Sequence, residues 1–180
     1  LAQETVLSES QLDELGNQLD AIERSHVDPG LIEKFKTVVK SEDQRLTEEG
    51  IKEDPADFSS LDRYSGVLAE SEAGSNEAKR ARAAVVRAMN VFVGEARRRE
   101  DALTTKRKFT AADQTAIVSL RGIAIGEGKP RAEVAEIEAK IDDLAHQIAE
   151  LDVDVANAKA YRLELESIVR QLTRQEDELR

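Results

Sequence analysis

The feature of this sequence that most constrains its fold is an apolar stripe along residues 134–172. Aliphatic side chains recur there at alternating steps of three and four: Val134, Ile137, Ile141, Leu144, Ile148, Leu151, Val155, Ala158, Leu165, Ile168 or Val169, and Leu172. Such spacing places side chains on one face of an α-helix, and a stripe of about five heptads predicts packing against another helix. Pro130 suits the first turn of a helix. We therefore predict a helix over residues 131–180, with its main association seam running from Val134 to Val155.

A second long helix is predicted over residues 76–125. Its apolar positions are Val85, Met89, Phe92, Ala96 and Leu103, followed after a polar stretch by Phe109, Ile117, Leu120 and Ala124. In strict heptad register the positions between them are Arg99, Lys106 and Asp113, which make a poor seam. We expect either a kink or register shift there, or side chains that face a partner. Residues 126–130, with the sequence GEGKP, predict a sharp turn between the two helices.

The first 73 residues predict three shorter helices. Ser8 or Ser10 can cap the first, which is expected to end before the turn signal at residues 28–30. The second is expected to stop at Gly50 and the third near residues 73–76. The apolar positions of the three helices are Leu12, Leu15, Leu19 and Ile22; then Leu31, Phe35, Val38, Val39 and Leu46; then Phe58, Leu61, Tyr64 and Leu68.

Composition supports an all-α class. Charged residues make up 35% of the 180 residues and aromatic residues 3%, so the apolar content is mostly aliphatic and suits narrow helix–helix seams. The predicted architecture is an elongated antiparallel helical hairpin or three-helix bundle with coiled-coil character. Residues 1–73 would form broken N-terminal helices packed on the hairpin, and residues 74–180 would form the hairpin, with its turn at 126–130.

Signals of an enzyme or a metal site are nearly absent. The chain has no Cys, which excludes disulfides, thiolate metal sites and cysteine nucleophiles. His146 has Asp142 and Asp143 at helical distance and could share a metal ligand set, but a solvated helix flank is the favoured interpretation. His26 is interpreted as a helix-end residue. The glycines before Lys129 do not follow the phosphate-loop spacing. We expect no catalytic residue, metal or cofactor.

The distribution of charge is the one feature that points to a partner. Residues 79–108 hold ten Lys or Arg and three Asp or Glu, a net of +7, whereas the whole chain carries −11. Internal pairing with the acidic flanking helices is the favoured interpretation. An anionic membrane surface, an acidic protein and, least favoured, nucleic acid are the alternatives. The candidate partner- or lipid-binding residues are Arg97, Arg98, Arg99, Lys106, Arg107, Lys108, Lys129 and Arg131.

Broken first helices, a basic middle helix and a basic hairpin tip at Arg121, Lys129 and Arg131 give this chain a layout that is similar to BAR-type curvature modules. The resemblance is architectural and rests on no sequence motif. It implies three long kinked helices that dimerise into a crescent and present basic side chains to lipid. The chain is shorter than is typical of that family and strongly acidic overall.

The functional expectation is a non-enzymatic structural or assembly protein. A thin hairpin buries little area per residue, so self-association or a partner helix is expected to supplement its stability. The expected partners are a second copy of the chain, as a homodimer, or the helices of other proteins. The alternative is a peripheral, curvature-sensing membrane module that uses residues 79–108. No run of residues is apolar enough to span a bilayer, and an intracellular, cytoplasmic location is expected, with a membrane surface as the alternative site.

Overall fold

The computed structural model describes the backbone of residues 8–178 and the side chains of residues 8–15 and 29–174. The described backbone is all-helical and contains no strand, which confirms the predicted class. Its helices are α1 (Glu9–Glu48), α2 (Ser59–Glu70), α3 (Asn76–Gly126) and α4 (Arg131–Glu178). The side chains of His26, Leu19 and Ile22 lie outside the described residues.

The chain divides into two compact units. Unit 1 comprises residues 1–92 and 164–180, and unit 2 comprises residues 93–163. Unit 1 contains α1, α2, the first part of α3 and the last part of α4. Unit 2 contains only the remaining parts of α3 and α4 and the turn between them.

The core of unit 1 is built from side chains of all four helices. Its fully buried residues are Phe35 and Val39 of α1, Leu61 of α2, Val85 and Met89 of α3, and Leu165, Ile168 and Leu172 of α4. Phe92 lies between two aromatic rings, with its centroid 5.8 Å from that of Phe35 and 5.4 Å from that of Phe58. These rings supply the large apolar volume that the aliphatic residues of this chain cannot.

Helix α1 is continuous where two separate helices were predicted. Ser8 caps its first turn in a capping box with Gln11, as expected. The turn predicted at residues 28–30 is wrong, because Pro29 lies inside the helix. Proline removes one backbone donor, but its fixed φ is itself helical, so a helix can continue through it at a cost of about 3 kcal/mol.

The ends of the other helices follow the sequence signals. Helix α1 ends before Gly50, whose φ of 73° only glycine adopts without strain. The turn predicted at residues 126–130 is where α3 gives way to α4, and Gly128 takes a φ of 69° there. The third predicted segment corresponds to α2, whose Leu61 is buried.

Asp43 fixes the loop between α1 and α2. One carboxylate oxygen accepts from Lys52 Nζ, and the other accepts from the backbone N–H of Ala56 at 2.7 Å. The side chain of Asp43 is 15% exposed, so solvent competes weakly for these bonds. A single carboxylate therefore holds two points of the loop that leads into α2.

Replacing Asp43 with alanine is expected to lower the free energy of unfolding by about 1–3 kcal/mol, because two hydrogen bonds to a charged acceptor are lost. Urea denaturation followed by circular dichroism measures the change. The matched control is Asp54→Ala on the same loop, an exposed carboxylate whose loss should leave the midpoint almost unchanged. Equal effects from the two substitutions would contradict the role given to Asp43.

Lys36 links α1 to α2 in a pH-dependent way. Its Nζ donates to Asp62 Oδ1 at 2.7 Å, and this hydrogen bond raises the pKa of Lys36 above the ordinary value of 10.5. A raised pKa in the folded state means that the contribution to stability is complete below pH 10.5 and is lost as the pH rises through the higher folded-state pKa.

We expect Lys36→Met to lower stability at pH 8 and the difference from wild type to narrow as the pH rises above 10.5. Thermal unfolding at a series of pH values measures this. Lys34→Met, at an exposed position of the same helix, serves as the control. A constant difference across the series would show that Lys36 acts by packing alone.

Candidate protein–protein interface

Helices α3 and α4 pack antiparallel in unit 2. Arg107 Nε donates to Asp152 Oδ1 at 2.8 Å, and Arg121 Nε donates to Glu138 Oε1 at 3.1 Å. The partners in each pair lie at nearly equal distances from the turn along the two helices. Equal distances from a turn are the signature of an antiparallel hairpin, so these pairs also give its register.

The seam of α4 within unit 2 follows the predicted stripe. Leu151 and Ala158 are buried, and Val134, Ile137, Ile141, Leu144, Ile148 and Val155 are half-buried. Half-burial is expected where one neighbouring helix covers a face that is wide enough for two. The stripe therefore faces α3 but is not fully enclosed within unit 2.

The seam of α3 differs from the prediction by one residue. Its inward positions in unit 2, all buried or half-buried except Arg121, are Val93, Ala96, Glu100, Leu103, Arg107, Thr110, Gln114, Ile117, Arg121 and Ala124. They hold the 3–4 rhythm without a break, and Glu100, Arg107 and Gln114 occupy the seam next to Arg99, Lys106 and Asp113, which strict heptad register would have placed there. Phe109 is 66% exposed, whereas its neighbour Thr110 is only 8% exposed.

The inward face of α3 alternates between two kinds of side chain. Every seventh residue from 96 to 124 is small or aliphatic, and every seventh residue from 100 to 121 is polar. Three of these polar residues, Glu100, Arg107 and Arg121, reach carboxylates or a guanidinium on α4. Cross-helix ion pairs therefore take three of the ten inward positions of α3 in unit 2.

The pair formed by Glu100 and Arg162 is the most enclosed of these. The side chains are 16% and 19% exposed, and the guanidinium bonds both carboxylate oxygens of Glu100. Arg162 occupies the single charged position in an otherwise aliphatic row of α4, seven residues after Val155 and seven before Val169. A charged pair at facing seam positions is costly in any other register, so it selects this one.

The predicted basic site is divided by the structure. Arg107 is used inside the hairpin, and Arg99 is half-buried. Arg97, Arg98, Lys106 and Lys108 are exposed on α3, and Lys129 and Arg131 are exposed at the turn. Lys106 and Lys108 form no ion pair among the described residues. The block is therefore neither wholly satisfied internally nor one continuous basic surface.

Helix α3 carries a second stripe that faces away from α4. We call it the outer α3 stripe; it consists of Ala102, Thr105, Phe109, Ala112, Ala116, Ser119, Ile123 and Gly126. All of them are exposed, including 55% of Ile123. The stripe contains no charged residue, keeps the same 3–4 spacing, and lies roughly 150° around the helix from the inner seam.

Helix α4 has a shorter stripe of the same kind. The outer α4 stripe consists of Ala149, Val153, Ala156, Ala160 and Leu163, all of them exposed. Asp142 and His146 occupy the preceding positions on the same face, so the apolar stripe begins at Ala149. Unit 2 therefore presents two apolar faces to solvent, one on each helix.

Nothing among the described residues forms a metal centre. No group of three or more His, Asp or Glu is arranged to hold an ion in that part of the chain. His146 lies on the surface, and its Nε2 is 3.1 Å from Glu150 Oε1 one turn later, in keeping with a solvated helix flank.

In unit 1, a groove of about 460 Å³ lies beside the loop between α1 and α2, with Pro55, Ala56 and Phe58 as its apolar lining.

The enclosed pair gives a stability prediction. Glu100→Ala or Arg162→Ala alone should lower the free energy of unfolding by roughly 3 kcal/mol, since each breaks an enclosed ion pair at a seam position. Replacing both with Leu should recover most of that loss, because an apolar pair fits the surrounding seam. Chemical denaturation of the three variants measures this.

Arg107→Ala provides the matched control, since its pair with Asp152 is about half exposed and should contribute less than about 1 kcal/mol. If Glu100→Ala were no more destabilising than this control, the seam pair would have no special role.

Within residues 8–178, no helix combines the length and apolar character that crossing a bilayer demands. Comparison of the chain with protein-family models, with curated proteins and with solved structures finds no match.

Proposed function

We propose that this protein is a non-enzymatic structural protein that self-associates through the outward faces of its helical hairpin, in the manner of a coiled coil. The observation that carries the proposal is the outer α3 stripe. Its eight positions span residues 102–126 without a charged side chain, in a chain of which 35% is charged. An uncharged, exposed stripe at heptad spacing is the surface that a further helix covers.

The length of the stripe is sufficient for a helix–helix contact. Residues 102–126 extend over roughly 37 Å at 1.5 Å per residue. Small side chains at Ala112, Ala116 and Ser119 let a second helix approach closely between Phe109 and Ile123. Burial of these two large side chains alone would contribute about 1.5–3 kcal/mol each.

A peripheral membrane module is the second candidate. Lys106 and Lys108 border Phe109, and exposed lysines beside an exposed aromatic ring are suited to an anionic lipid surface. Fewer cations are available than the sequence suggested, because Arg107 is paired with Asp152. The uncharged stripe also continues well beyond the lysines to residue 126. Helix packing uses all of this stripe, whereas lipid attraction uses only its basic end.

Sedimentation velocity over a range of concentrations tests the proposal. Wild-type protein should form oligomers, and Phe109→Glu combined with Ile123→Glu should shift the population to monomer at every concentration, because two charges would be buried at the contact. Circular dichroism should show unchanged helix content, since both side chains are exposed.

The control variant is Ser60→Glu with Ala69→Glu, which adds two charges at exposed positions of α2, in unit 1 and away from both outer stripes. It should oligomerise like wild type. A wild-type protein that stays monomeric at all concentrations, yet sediments with phosphatidylserine vesicles unless Lys106→Glu and Lys108→Glu are introduced, would replace the first candidate with the second.

A further inference from the structure

The two outer stripes carry opposite flanking charge at one level of the hairpin. Lys106 and Lys108 border the outer α3 stripe on either side at Phe109, whereas Asp113 lies one heptad after Lys106 and Asp101 one heptad before Lys108. Glu150 and Asp152 border the outer α4 stripe on either side at Val153, and Lys159 is the basic residue near them. The borders of the outer α3 stripe are therefore basic next to Phe109, and those of the outer α4 stripe are acidic next to Val153.

The register of the hairpin brings these borders to the same level. Arg107 pairs with Asp152, so residues 106–108 of α3 lie level with residues 151–153 of α4. A second hairpin placed alongside without axial shift would thus bring its α4 acids beside the α3 lysines. In this register the two outer stripes overlap where residues 102–110 of α3 lie level with residues 149–157 of α4.

The positions of the stripes around their helices exclude a closed, face-to-face pair that uses both at once. Relative to its inner seam, the outer α3 stripe is rotated in one sense, and the outer α4 stripe is rotated in the other. In an antiparallel hairpin, opposite rotations place the stripes at opposite edges and on opposite sides of the hairpin. A copy that covers one stripe of its neighbour therefore leaves its own other stripe open.

We propose that the outer α3 stripe of one copy packs against the outer α4 stripe of a second copy, so that hairpins join edge to edge in an open, head-to-tail series. The inference rests on the proposed function and specifies its partner and geometry. Such a contact is heterologous, since the two surfaces differ, and it propagates unless a rotation between copies closes it into a ring. An α3–α3 contact would instead leave the outer α4 stripe uncovered.

Two half-blocked variants test this directly in the full chain. Phe109→Glu with Ile123→Glu blocks the outer α3 stripe, and Val153→Glu with Leu163→Glu blocks the outer α4 stripe. Each variant alone should sediment as a monomer. An equimolar mixture should give a 1:1 dimer and nothing larger, because one intact contact remains between the two variants and cannot propagate. Circular dichroism of each variant confirms that its helices are retained.

The outcomes separate this inference from the proposed function. If the α4-blocked variant still oligomerises alone, the contact is α3 to α3, and self-association stands while the head-to-tail geometry falls. If the mixture stays monomeric although wild type oligomerises, the two stripes are not partners. A wild-type protein that is monomeric at all concentrations overturns the proposed function itself.

The charged borders provide a second, independent measurement. Lys106→Glu and Glu150→Lys should each weaken wild-type association about two- to fivefold, the range of exposed ion pairs. The double variant should regain wild-type association, because the pair is restored with its charges exchanged. Lys129→Glu in the turn changes the same charge away from either stripe and should have no effect. Failure of the double variant to recover would contradict the unshifted register.

Discussion

The organisation of unit 2 depends on which face of α3 is covered by α4. This helix has more apolar surface than one neighbouring helix can bury: aliphatic or small residues lie on its inner seam, and others form its outer stripe. The face that α4 covers is the one where Glu100, Arg107 and Arg121 find oppositely charged partners. Ion pairing therefore determines which of two faces of similar apolar character packs on α4, and the other face of α3 stays exposed.

The sequence predicts α4 better than α3 for the same reason. In α4 only Arg162 interrupts the aliphatic row from Val134 to Val169, so the apolar pattern alone identifies the face that packs on α3. In the unit 2 part of α3 the large apolar side chains of Phe109 and Leu120 lie outside the seam, whereas the less apolar Thr110 and Gln114 lie within it. A prediction that uses only the apolar residues of α3 therefore moves from its inner face to its outer face. The correct register depends on pairing with residues 17 to 62 positions away, which the periodicity of α3 does not contain.

Other differences have equally local causes. A proline and a glycine at positions 29 and 30 are a turn signal in most contexts, yet α1 passes through them. Gly50 and Gly128 end or separate helices as expected because their positive φ leaves glycine as the residue without strain. The charge of the basic block was evident from composition, but its division between Arg107 inside the hairpin and Lys108 on the surface required the structure. Adjacent residues of a helix point in different directions, so Arg107 forms an ion pair with α4 whereas Lys108 faces solvent.

The enclosed pair of Glu100 and Arg162 has a consequence for how the chain reaches its fold. While α4 is still undocked, both faces of α3 compete for the same aliphatic row. Docking on the outer face would bring Arg162 against a surface with no carboxylate in its stripe and would leave Glu100 without its partner. The pair therefore favours docking of α4 on the inner face of α3, because docking on the outer face would lack the Glu100–Arg162 ion pair.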